Sequence, residues 1–246
     1  MKMTVEESIN EFCTYFERQL RVITHIDIDR NALPDLSFED YQVRFYRKVL
    51  LIAGIDTLAG IRFPKANCPQ LNRRNRERFI QFVKEFGDWP HGNLVSLPFL
   101  KDQLTRMGLS SSRLGSYVSK RVADFDKDVG GDRGISRIDE PLDTLSAMAS
   151  TEREEDAIVN EQHYSLLYRY RNYLLHEWRE PGSSIEIDPL REEPYYHEYG
   201  DNPEWYLVYP MQVFTNLFRN CVSRFKQYLI DKSIDPFSFV DDTHRW

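Results

Sequence analysis

Cysteine is scarce in this chain: Cys13, Cys68 and Cys221 stand far apart, and no Cys-x-x-Cys pair occurs. An odd, scattered set supports neither a disulfide framework nor a zinc site, and it fits a reducing compartment. Long apolar runs are missing too. No stretch approaches the roughly 20 apolar residues of a membrane span, and the opening Met1-Lys2-Met3-Thr4-Val5-Glu6-Glu7 has acids where a signal peptide has its apolar segment. A cytoplasmic protein with no membrane partner is therefore the expectation. There is no GxGxxG, Walker loop or GxSxG, so nucleotide-dependent and serine-hydrolase chemistries find no support and no cofactor is expected. Basic excess is absent as well: the net charge of −7 would repel a polyanion. Nucleic-acid binding must then rest on local patches, for which Arg73, Arg74, Arg76 and Arg78, or Arg113, Lys120 and Arg121, are the candidates. The ordinary reading of such runs is a solvated helix face.

What the chain does have is apolar and aromatic substance. Of its 246 residues 41% are hydrophobic and 13% aromatic, which is too apolar for a disordered chain despite 29% charged residues. That length allows one large domain or two small ones; a single domain over 1–246 with decorations is expected. Thr4-x-x-Glu7 is a capping box, and Ile9, Phe12, Cys13, Phe16, Leu20 and Ile23 follow at helical spacing to near His25. Ser37 can cap a second helix from Phe38 to about Arg62, whose apolar residues wrap nearly all round and mark it as central. Arg73 to Phe86 returns to helical period, with Gly87 as its stop.

Weaker helical patterns cover Leu94 to Met107 and Ser112 to Phe125, and a variable, glycine-bearing connection runs over about 126–150. Thr151-x-x-Glu154 then opens what reads as the longest helix, continuing to Arg179 before Pro181-Gly182. The aromatic runs Glu193–Tyr199 and Glu204–Tyr209 suggest a β-hairpin over about 193–209, and a last amphipathic helix carries Met211, Phe214, Leu217, Phe218, Val222, Phe225 and Leu229. The fold expected is an all-α antiparallel helical bundle with one small β-hairpin before the last helix.

The chemistry concentrates in the long helix. On a wheel of about 100° per residue, Leu167, Tyr170, Leu174 and Trp178 form one apolar stripe, widened by Leu166 and Tyr173. Asn172 and His176, as i and i+4 neighbours, lie on the opposite side. A lone histidine is most often structural, but this one falls where solvent or a partner must be. Arg171 lies about 140° from His176 on the same wheel, so a single ideal helix does not bring them together. An isologous two-fold pairing of two chains would, by placing both arginines and both histidines in one cleft. There a neutral imidazole moves a proton, a guanidinium holds a scissile phosphate and the amide orients them. Deprotonating an RNA 2′-OH for attack on the adjacent phosphate needs no metal and leaves a 2′,3′-cyclic phosphate.

Arg171-Asn172-x-x-x-His176, near the end of a long helix, resembles the Arg-x4-6-His motif of the HEPN superfamily. Ile55-Asp-Thr-Leu-Ala-Gly-Ile-Arg62 with Asn75-Arg-Glu-Arg-Phe-Ile-Gln-Phe82 resembles the earlier bundle helices of prokaryotic HEPN-like proteins, and Glu193-Pro-Tyr-Tyr-His197 with Trp205-Tyr-Leu-Val-Tyr-Pro210 the segment after the motif. The resemblance implies a helical bundle, a metal-independent endoribonuclease acting as a homodimer on RNA, and Arg171, Asn172 and His176 as its catalytic residues. By analogy it implies a toxin or antiviral defence effector. Some members are AMP-modified on a Tyr two positions after the His; Trp178 stands there, so that regulation is not implied. Other members are inactive, which sustains a competing expectation: a non-enzymatic helical module that binds a protein such as a nucleotidyltransferase-like antitoxin or another defence-system partner. Of the remaining candidates, Asp56 is either a satisfied core acid or a group near the cleft. His197 reads as a surface residue, and His163 lacks the acid pair a metal site would need.

Overall fold

Thr4 caps the first helix as its spacing from Glu7 dictates: its hydroxyl accepts from the Glu7 amide at 3.2 Å, and the Glu7 carboxylate accepts from the Thr4 amide at 2.8 Å. A computed structural model describes residues 3–27, 39–64, 67–126, 132–182, 186–199 and 204–239. In chain order its elements are α1 (Val5–Thr24), α2 (Glu39–Arg62), α3 (Asn75–Phe86), β1 (Leu94–Val95), α4 (Leu97–Arg106), α5 (Arg113–Asp126), β2 (Arg133–Gly134), β3 (Glu140–Pro141) and α6 (Leu142–Ser146). There follow α7 (Glu152–Asn160), α8 (His163–Asn172), a π-turn (Tyr173–Glu177), β4 (Tyr195–Tyr199), β5 (Glu204–Val208) and α9 (Met211–Lys232). Among these helices none is long and apolar enough to cross a membrane. The proposed Ser37 cap lies outside the described residues.

The chain divides into two compact units: one holds 1–89, Leu174–Arg179 and 211–246, the other 90–173 and 180–210. The first unit is helical. Its α9 packs on α1, α2 and α3, and buries Phe214, Phe218, Phe225 and Leu229. From α2 come Leu51, Ile52, Ile55 and Leu58, all at 1% exposure or less, as a helix with apolar residues all round requires. Phe82, Phe86 and Phe225 meet with ring centroids 4.9 to 5.6 Å apart, in tilted and edge-on geometries that suit the aromatic quadrupole.

Helix α3 starts at Asn75 rather than Arg73, because Arg73 takes the left-handed φ of 62°. Gly87 ends it for a reason other than left-handed freedom. Its own φ is −74°, and Asp88 carries the positive φ instead. A Cβ on Gly87 would stand 2.6 Å from the Val83 carbonyl oxygen and 2.8 Å from Leu217 Cδ1. Gly87→Ala is therefore expected to cost about 1–3 kcal/mol through overpacking, read as a lower urea midpoint at unchanged slope; an unshifted midpoint would show the space to be available.

The second unit is mixed, and here the expectation of an all-α chain with one hairpin is corrected. The chain is mostly helical, but it carries two small antiparallel sheets. β1 pairs with β3, Val95 opposite Glu140, and β2 joins β4 and β5 in the order β2-β4-β5. The hairpin exists as β4 and β5, with Tyr195 opposite Val208, and Tyr196 and Tyr195 also pair with Arg133 and Gly134. Strands of two residues are too short to show a period of two, so β1, β2 and β3 have no signature in the sequence. Of these, β2 and β3 fall within the stretch expected to be a variable connection, of which 127–131 lies outside the described residues. Likewise Leu94 and Val95 are strand, and α4 begins only after Ser96, whose hydroxyl accepts from the Phe99 amide at 3.3 Å.

The longest expected helix is broken. Thr151 caps α7 as foreseen, accepting from the Glu154 amide at 3.3 Å. At Gln162 the backbone turns extended, with φ −67° and ψ 142°. Three contacts from distant sequence hold it there: a β-bridge of Gln162 to Val95, the Ser96 amide donating to the Glu161 carbonyl at 2.9 Å, and the Tyr164 amide donating to the Gly92 carbonyl at 3.2 Å. Backbone pairing with β1 thus replaces the helical bonds the local pattern favours.

Candidate active site

Helix α8 delivers Leu166, Leu167 and Tyr170 to the core of the second unit at 4% exposure or less, as the wheel requires. Tyr170 also donates its hydroxyl to the buried Glu180 carboxylate. Beyond Asn172 the wheel no longer applies. Residues Tyr173–Glu177 form a π-turn, whose bonds run from i to i+5. Such turns are rare, appear mostly as single insertions in α-helices, and recur at functional sites. Trp178, expected on the buried stripe, is 61% exposed because the helix has ended before it and its φ is 55°.

Arg171 is 6% exposed, in keeping with its place about 40° from Leu167 on the wheel. Its Nη1 donates to Asn172 Oδ1 at 2.9 Å, and its guanidinium carbon stands 5.6 Å from the Tyr168 ring centroid. These contacts hold the guanidinium with few alternative rotamers, a planar cation over an aromatic face and fixed by an amide oxygen. Arg171 and Asn172 thus form one constellation within the second unit. His176 belongs to Leu174–Arg179, counted with the first unit, and is exposed, as expected. Two residues before it, Leu174 is fully buried and anchors the turn. Two residues after it, the Trp178 ring stands 5.5 Å from Phe45 edge-on and 6.0 Å from Tyr46.

A polar network in the second unit escaped the sequence reading. His163 and the Asp139 side chain are both at 0% exposure, with Nε2 of the imidazole 2.7 Å from Asp139 Oδ2 and Nδ1 3.0 Å from the Tyr209 hydroxyl. Asp139 Oδ1 also accepts from the Leu97 amide at 3.1 Å, and the Tyr196 hydroxyl lies 2.9 Å from both carboxylate oxygens and 2.7 Å from Ser96 Oγ. Burial pushes the Asp139 carboxyl above the usual carboxylate range, opposed by His163, the Leu97 amide and Tyr196. Burial also drives the Tyr196 and Tyr209 phenols well above their ordinary range, so both remain protonated donors. Ser, His and Asp side chains in one network suggest a nucleophile triad, but the serine is bonded to tyrosine and fully enclosed. The network ties β4, α8 and the N-terminus of α4 together.

The other candidates take ordinary roles. His197 is part-buried with Nδ1 2.6 Å from Asp132 Oδ1, and Asp56 is half-buried on α2. Within the arginine runs, Arg74 pairs with Glu77 at 3.0 Å and Arg121 with Glu140 at 3.1 Å, which is the solvated-face arrangement. Among the described residues no three His, Cys, Asp or Glu side chains gather so as to hold a metal ion. No protein-family model, curated protein or solved structure matches the chain.

Proposed function

We propose that the chain is a metal-independent endoribonuclease with a HEPN-like helical bundle, cleaving RNA at a composite site formed by two copies. The observation that supports it is the departure from α-helical geometry inside the motif. A preorganised Arg171–Asn172 pair is followed directly by a π-turn carrying the exposed His176. His176 takes the proton of a ribose 2′-OH, the 2′-oxygen bonds to phosphorus, and the bond to the 5′-oxygen breaks as that oxygen gains a proton. Arg171 stabilises charge on the phosphoryl oxygens, and Asn172 keeps its guanidinium aimed.

The purified chain is expected to cut RNA in EDTA and leave 2′,3′-cyclic phosphate and 5′-hydroxyl ends, mapped by end-specific ligation. Loss of cutting in EDTA, or 3′-hydroxyl ends, would contradict the mechanism. One observation favours a second reading. Phe45, Tyr46 and Trp178 form an aromatic patch with Tyr46 38% and Trp178 61% exposed, the composition of a protein-docking surface. A module that binds an antitoxin-like protein without cutting RNA would use such a patch, and the EDTA assay separates the two.

A further inference from the structure

Within the second unit a cleft of about 480 Å³ opens between α8, α4 and the hairpin strand β5. Aromatic rings line much of it, Tyr170 and Tyr173 on the helical side, Phe99 from α4, and Tyr206 and Trp205 from β5, beside the charged Lys101, Asp102 and Arg169. Trp205 is held in place by Phe125 at 4.8 Å between centroids and by Arg133, whose guanidinium carbon is 5.0 Å from its ring. Gly182 closes one rim with φ 73°, and a Cβ there would come within 2.9 Å of Tyr206 Cδ1. Backbone therefore lies directly on the Tyr206 ring, and the glycine is needed for that approach.

A second hollow of about 430 Å³ adjoins the first and shares Phe99, Asp102 and Arg169 with it. Its other walls are polar, from Gln103, Arg106, Asn160 and Glu161. Arg169 is held by Glu161 at 3.2 Å and by the Asn160 carbonyl at 3.2 Å. The two hollows together pair a slot for a planar ring with a chamber offering two guanidinium groups and two carboxylates. Both lie in the volume range of small-ligand sites.

We infer that this double cleft binds a nucleoside phosphate, free or as one nucleotide of an RNA strand. The base stacks among the tyrosines, the ribose hydroxyls donate to Asp102, and the phosphate accepts from Arg106 and Arg169. A wholly apolar ring would leave the polar chamber unused, and a simple anion would leave the aromatic slot empty. The inference stands apart from the cleavage mechanism, because none of Arg171, Asn172 and His176 lines either hollow.

Calorimetric titration of the full chain with 5′-AMP, with 5′-UMP and with a short 2′-O-methyl oligoribonucleotide whose 3′-terminal ribose is unmodified tests it, since each keeps ribose hydroxyls for Asp102 and none has a 2′-OH beside a 3′-phosphodiester. One saturable site per chain is expected, with affinity weakened tenfold or more in Tyr206→Ala and in Arg106→Ala, and little changed in Tyr206→Phe and His176→Ala. Arg106 is exposed near the end of α4, so its variant folds and keeps the test decisive. Binding of mononucleotides assigns a free nucleotide as the ligand, and binding of the oligonucleotide alone assigns a strand. Failure of all three at millimolar concentration, or binding indifferent to both alanine variants, overturns the inference.

Discussion

His176→Ala is expected to lower RNA cleavage by about 10²–10⁴-fold, the contribution of a positioned acid–base group, while the variant melts as the parent does. The side chain is exposed, and the buried anchor of its turn is Leu174, so removing the imidazole leaves the π-turn in place. Arg171 is different. At 6% exposure, bonded to Asn172 and set over Tyr168, it contributes packing as well as charge, so Arg171→Ala loses both cleavage and stability. Arg171→Lys separates the two roles: it keeps the charge but not the planar fork, and cleavage is expected to fall much further than the melting temperature. Asn172→Ala removes one of the bonds that hold the guanidinium and is expected to give a smaller loss. Near-parental cleavage in His176→Ala would place the chemistry elsewhere.

Asp139→Ala is expected to destabilise the second unit by about 3–5 kcal/mol, since each buried donor left without its acceptor costs about 1–3 kcal/mol. It strips a partner from the His163 imidazole, the Tyr196 phenol and the Leu97 amide, all without access to water. Asp139→Asn keeps the shape and one acceptor oxygen, and is expected to recover part of the loss. Urea unfolding measures both. A change below about 1 kcal/mol for the alanine variant would mean that the unit is held by its apolar contacts alone.

The parts of this fold that the sequence makes legible are those whose signals are local. Thr4 with Glu7, and Thr151 with Glu154, mark helix starts through bonds spanning three residues, and the period of Met211 to Leu229 alone defines α9. The break at Gln162 is not legible, because Gly92, Val95 and Ser96 impose it from far along the chain. The same holds for the Asp139 network and for the cleft, whose walls come from α4, α8 and β5 and share no spacing in sequence. The motif Arg171-Asn172-x-x-x-His176 is legible as a pattern. An α-helical wheel holds only as far as Asn172, where α8 ends, and so does not relate His176 to Arg171.

The composite site is tested most directly by mixing two inactive chains, one carrying Arg171→Ala and the other His176→Ala. In a mixed dimer one chain retains only the histidine and its partner only the arginine, and a shared cleft reunites them. Cleavage is expected to be low in each variant alone and to rise on mixing toward the share of mixed dimers counted by native mass spectrometry. Mixed dimers that form and still leave RNA intact would contradict a site built from two copies of this chain.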